Sequence, residues 1–168
     1  VSYGSTDQTP EIVKKLSQTL KNLKLVVNDE DKGIGFAIRQ GMLLSEGQFR
    51  LLTHVENPVP IDAFMHLKPH LENGADLVIG SRIPPRNLPF LSKFSRGRIR
   101  TSLTNFLLRT LFIRGFRDPT SPFIAFRAKA AEEIFNRTKY HRLHSLIEPI
   151  FLAKKSGLRI QEAEILIS

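Results

Sequence analysis

Ile12, Val13, Leu16 and Leu20 recur at helical spacing behind the opening Thr9-Pro10-Glu11. Thr9 as cap, Pro10 at the first position and Glu11 near the positive end predict a helix here. Ahead of it, VSYGSTDQT reads as the end of a strand running into a turn. LKLVVN predicts a strand over 23–28, and DEDKG a loop. Residues 34–46 carry a second helical pattern, with Gly47 suited to its C-terminal cap. QFRLLTH predicts the next strand, and ENPVP a turn. Ile61 to Leu71 predicts a helix weakened by Pro69, and ADLVIGSR, after Gly74, a further strand.

The second half starts with the Pro-rich loop PPRNLP. A long helix is expected over roughly 92–113. Ile99, Leu103, Phe106, Leu107, Leu111 and Ile113 gather on one side of it, and Arg98, Thr101, Ser102, Asn105 and Arg109 on the other. Such a helix packs on a sheet or lies in a membrane interface, where arginine meets lipid phosphate. RDPTSPF predicts a loop, IAFR a short strand, AKAAEEIF a helix, 143–156 another helix, and LRIQEAEILI a final strand. Strands alternating with helices predict an α/β layered fold with a largely parallel sheet. Ligands in such sheets bind beyond the carboxyl ends of the strands, where GSTD, HVE and GSR fall.

Composition narrows the class. The chain has 168 residues, 41% of them hydrophobic, which suits one domain with a real core. With no cysteine, disulfides and thiolate chemistry are excluded. No signal peptide and no apolar run of spanning length is visible. The formal net charge is +9, and no acidic residue lies between Asp76 and Asp118. That window holds Arg82, Arg86, Lys93, Arg96, Arg98, Arg100, Arg109, Arg114 and Arg117. It is either a solvated basic face or the seat of a phosphate-bearing partner. Nucleic acid is not the expected partner, because no recognition module or aromatic stacking platform is present.

Taken in order, GSTDQT, KGIGFAIRQGMLLSEGQFRLL, GADLVIGSR, RDPTSPFIAFR and LRIQEAEILI resemble a family 2 glycosyltransferase. Within that family the chain is most similar to the dolichyl- or polyprenyl-phosphate mannosyl- and glucosyltransferases. The resemblance implies a GT-A fold: Rossmann-like, three-layer α/β/α, with a largely parallel mixed sheet. It implies inverting transfer of a sugar from a GDP- or UDP-sugar to a polyprenyl or dolichyl phosphate, assisted by Mg²⁺ or Mn²⁺. It divides the chain into a nucleotide-sugar half, 1–90, and an acceptor half, 91–168. Matched to the family, the domain is expected to be incomplete at both ends. The expected place of work is the cytosolic face of a membrane, held peripherally by the basic amphipathic helix.

The family pattern assigns roles residue by residue. Its two acidic residues before GSTD are Ser2 and Tyr3 here, so Ser2 is the uncharged candidate for the base contact. Asp7, Lys32 and Gly33 complete the nucleotide-sugar candidates. The Asp-x-Asp metal motif lands on His54-Val55-Glu56. One aspartate has become an imidazole and the other has gained a methylene, which lowers the local negative charge. Arg82, in GSR, is a candidate for a catalytic phosphate contact, with Glu56 and Asp118 as the other catalytic candidates. Arg82, Arg117, Ser121 and Arg127 are the acceptor and phosphate candidates. The acceptor-side motif departs at Pro122, where the family has glycine, and at Ile124, where it has a basic residue. These replacements keep a second reading open: a catalytically impaired GT-A-like domain that binds a membrane surface or a partner.

Overall fold

Along the central strand, residues alternate between two apolar layers, and this alternation organises the fold. A computed structural model describes residues 1–3, 5–28, 32–53, 59–83, 115–139 and 147–166. The elements are β1 (Ser2–Tyr3), α1 (Thr9–Thr19), β2 (Val27–Asn28), α2 (Ile34–Leu44) and β3 (Phe49–Leu52). A 3-10 turn, Ile61–Ala63, leads into α3 (Phe64–Glu72). Then follow β4 (Leu77–Ile83), β5 (Ile124–Arg127), α4 (Ala128–Arg137), α5 (Ile147–Lys155) and β6 (Ile160–Leu166). The helix expected over 92–113 lies outside the described residues, as do His54 and Glu56.

Four strands form a sheet in the order β3-β5-β4-β6, and β1 and β2 form a parallel pair. β5 runs antiparallel to both β3 and β4, whereas β4 and β6 are parallel. The sheet is therefore mixed, with β5 as the reversed strand. β3 and β4 point the same way, so their carboxyl ends open on the same edge.

Leu77 and Ile79 of β4 join Ile124 and Phe126 of β5 on one face. α2, α4 and α5 cover that face with Met42, Ala131, Ile134, Phe135, Ile150 and Ala153. Phe126 and Phe135 meet edge to face, their centroids 5.3 Å apart. On the other face, Val78, Phe123, Ala125, Ala163 and Ile165 receive Ala63, Leu67 and Leu71 from the 3-10 turn and α3. Each large apolar side chain fully buried this way contributes roughly 1.5–3 kcal/mol. The result is a three-layer α/β/α arrangement.

Several expected boundaries move. Thr9 is the first helical residue of α1, not its cap; the Asp7 carboxylate accepts the Thr9 N–H at 3.1 Å and its hydroxyl at 3.0 Å. α2 ends at Leu44 with Ser45 extended, so Gly47 is not its cap. β2 is described as Val27–Asn28, shorter than the expected 23–28, and pairs in parallel with Ser2–Tyr3. α3 continues through Pro69, whose carbonyl accepts the Asn73 N–H at 2.9 Å.

Candidate functional site

Arg82 and Asp118 meet at the carboxyl end of β4. Arg82 comes from the strand itself, and Asp118 from the loop that enters β5. Arg82 Nε donates to Asp118 Oδ2 at 2.6 Å, and Nη2 to Oδ1 at 2.8 Å. The Arg82 backbone N–H also points at Oδ2, at 3.3 Å. This is a bidentate, charge-assisted pair. The hydrogen bonds to Asp118 raise the already high pKa of Arg82, against the opposing effect of burial. The guanidinium stays charged and oriented, and the Arg82 side chain is 26% exposed.

β6 holds the loop in place. Glu162 Oε1 accepts the N–H of Asp118 at 2.8 Å, and its Oε2 accepts the N–H of Arg117 at 2.8 Å. Arg117 Nη1 reaches Glu164 Oε1 at 2.5 Å, an exposed ion pair that a phosphate can replace at little cost. Sequence reasoning missed Glu162. It lies 44 residues from Asp118 in sequence, and nothing local signals the contact.

Ser121 shares this loop but is fully buried. Its hydroxyl donates to the Gly80 carbonyl at 2.5 Å and accepts the Phe123 N–H at 3.2 Å. It ties the loop to β4. Gly80 is required where it stands: a Cβ there would meet Ile165 Cδ1 at 2.9 Å and the Phe123 carbonyl oxygen at 3.0 Å.

Arg127 is not brought to this group. The antiparallel register places it at the opposite end of β5, with its N–H bonded to the Asp76 carbonyl. Six residue steps along the chain separate Asp76 from Arg82, about 20 Å. The Arg127 guanidinium donates to the carbonyls of Leu71 and Ala75, and so closes the end of α3.

The nucleotide-side candidates fall on β1, just before α1 and just before α2. Ser2 donates its N–H to the Val26 carbonyl at 2.8 Å and its hydroxyl to Ser5 at 2.7 Å. Asp7 is exposed; the Thr9 N–H and hydroxyl hold its carboxyl below the usual range. Lys32 lies 5.4 Å above the Phe36 ring. Gly33 precedes α2 with φ of 90°, a conformation that favours glycine, and its carbonyl accepts the N–H groups of Phe36 and Ala37. Arg39 donates Nε to the Phe135 carbonyl at 2.8 Å and joins α2 to α4.

Residues 1–135 match the family model described as Glycosyl transferase family 2. The chain belongs to that family. Dolichyl-phosphate beta-glucosyltransferase of Dictyostelium discoideum is 25% identical, over 98% of this chain and 53% of its own length. Dolichol-phosphate mannosyltransferase of Pyrococcus furiosus is 28% identical, over 80% of this chain and 38% of its own length. Within family 2 the chain is therefore most like the polyprenyl-phosphate sugar transferases, as the ordered motifs imply. It spans about half the length of the curated relatives it matches, 53% of the first. Glucosyl-3-phosphoglycerate synthase from Mycobacterium tuberculosis, solved with Mn²⁺, UDP-glucose and phosphoglyceric acid, superposes with a TM-score of 0.66. It covers 98% of this chain at 16% identity, with 57% of its own length matched. The shared fold is GT-A.

No group of three or more His, Cys, Asp or Glu that could hold a metal occurs among the described residues. None of the described helices is long and apolar enough to cross a membrane.

Proposed function

We propose that this family 2 chain carries the core of an inverting glycosyltransferase that moves a sugar from a UDP- or GDP-sugar to a polyprenyl or dolichyl phosphate. The observation that carries the reading is the oriented Arg82–Asp118 pair at the carboxyl end of β4, the edge where ligands of such sheets bind. The dolichyl-phosphate relatives support the acceptor class.

The chemistry asks little of a general base. A phosphate acceptor is already an oxyanion. Its oxygen attacks the anomeric carbon as the bond to the diphosphate oxygen breaks, and the electron pair leaves with the nucleoside diphosphate. Rate then depends on alignment and on positive charge near the phosphates. Arg82 supplies such charge, and Asp118 fixes its direction. Arg117, whose guanidinium pairs with the exposed Glu164, is the second cation for the acceptor phosphate. Ser2, Asp7, Lys32 and Gly33 are assigned to the donor half. The donor set His54 and Glu56, one imidazole and one carboxylate, fits Mn²⁺ better than Mg²⁺. When bound there, a divalent ion would neutralise diphosphate charge. The place of action is a membrane surface, with the basic segment that contains Arg98 and Arg109 facing lipid phosphate.

One observation favours a second reading, binding without turnover. Ile124 stands where the family pattern has a basic residue, and its side chain is fully buried in the core. No phosphate can be held from that position. Calorimetric titration with UDP or GDP in the presence of Mn²⁺ tests the proposed reading. Binding that Glu56→Ala abolishes is expected; no binding of either nucleotide would remove donor use.

A further inference from the structure

Glu162 is used by none of the assigned roles, yet it holds the loop on which Asp118 sits. Its Oε1 accepts N–H groups from Asp118 at 2.8 Å and from Arg117 at 3.0 Å, and Oε2 accepts Arg117 again at 2.8 Å. The partners lie more than forty positions apart in sequence, so the clamp joins β6 to a distant loop. β6 runs parallel to β4, with Glu162 beside Ile79, Glu164 beside Ser81 and Ile165 beside Arg82. One strand thus presents Arg82 and its neighbour presents the clamp. Asp118 completes the triangle.

A carboxylate that accepts successive backbone N–H groups fixes the peptide plane between them. It therefore fixes the direction in which the Asp118 side chain leaves the loop. Asp118 is almost fully buried and already donates its N–H to Glu162, so it has little freedom to re-aim. From this geometry we infer that Glu162 is a positioning residue for the Arg82–Asp118 pair. This rests on the reading of that pair as the phosphate-side machinery of a glycosyltransferase.

The test compares the full chain with Glu162→Gln and Glu162→Asp. Glutamine keeps the size but replaces one acceptor oxygen by a donor. Aspartate keeps both acceptors on a shorter stem. Hydrogen exchange by NMR is read at the Arg117 and Asp118 amides and at Arg82 Nε–H. In Glu162→Gln, Arg82 Nε–H is expected to exchange about tenfold faster, the scale of a lost charge-assisted hydrogen bond. The Leu77 and Phe126 amides stay unchanged, and Glu162→Asp restores part of the protection. For sugar transfer, kcat falls while KM for the nucleotide sugar is kept. Freed Arg117 and Asp118 amides with unchanged Arg82 Nε–H would overturn the inference. If Glu162→Gln does not fold, Glu162→Asp decides: full protection of Arg82 with a strained loop amide also overturns it. If the wild-type chain transfers no sugar, the proposed function falls, and the exchange data still decide whether Glu162 aims Asp118.

Discussion

Asp118 holds Arg82 by both carboxylate oxygens, at 2.6 Å from Nε and 2.8 Å from Nη2. A fork-to-fork pair of this kind depends on the planar guanidinium, so lysine cannot replace it. Arg82→Lys is expected to cost about 2 kcal/mol in urea unfolding. It should also lower sugar transfer by about a hundredfold, the scale of removing a fixed electrostatic donor. Unchanged stability and rate would show that the pair is neither structural nor functional.

Ser121→Ala removes a hydroxyl that both donates to Gly80 and accepts from Phe123 inside the protein. Two buried polar groups lose their partner. The expected loss is about 2 kcal/mol. KM for the lipid phosphate should stay the same, because the hydroxyl is fully buried. Acceptor kinetics on Ser121→Ala check this against a direct acceptor contact.

Gly80→Ala forces a methyl group to within 3.0 Å of the Phe123 carbonyl oxygen. Backbone cannot yield as a flexible side-chain tip can. Overpacking of this kind costs about 2 kcal/mol. Thermal unfolding should show a clear drop in Tm for the variant.

Asp7, just ahead of α1, accepts the Thr9 N–H and hydroxyl, which stabilise its charged form and depress its pKa. The stability it adds is therefore complete above the unfolded carboxylate value, about 4. It is lost as pH falls through the lower folded value. NMR titration should place Asp7 below ordinary aspartate, and Asp7→Ala should remove this part of the acid dependence of α1. A titration at the ordinary value would contradict the Asp7–Thr9 hydrogen bonds.

Much of this fold was legible because burial imposes period. IAFR, bounded by Pro122 and the alanine-rich helix start, is β5 as read, from Ile124 to Arg127. The mixed sheet followed from the resemblance, and β5 supplies its reversed strand. Gly33, a donor-side candidate in the family match, has a positive φ. Caps were less legible, because Asp7, Gln8 and Thr9 are all polar; the cap position falls on Gln8, with Asp7 accepting the Thr9 N–H. Arg127 illustrates a different limit. It flanks the DPTSPF loop in sequence, but a strand carries it to the far end of the sheet. Glu162 marks the opposite case, remote in sequence and close in space. Its alternation with Ala163, Glu164 and Ile165 reads as the solvated face of an edge strand, and nothing local shows a backbone clamp.

The central claim is sugar transfer. The full chain, incubated with labelled UDP-glucose or a GDP-sugar, Mn²⁺ and a polyprenyl phosphate in vesicles, should form a lipid-linked sugar. Arg82→Lys should slow that product, and Glu56→Ala should abolish it. Nucleotide binding with no lipid-linked product from any common donor would contradict the account and leave a binding domain in its place.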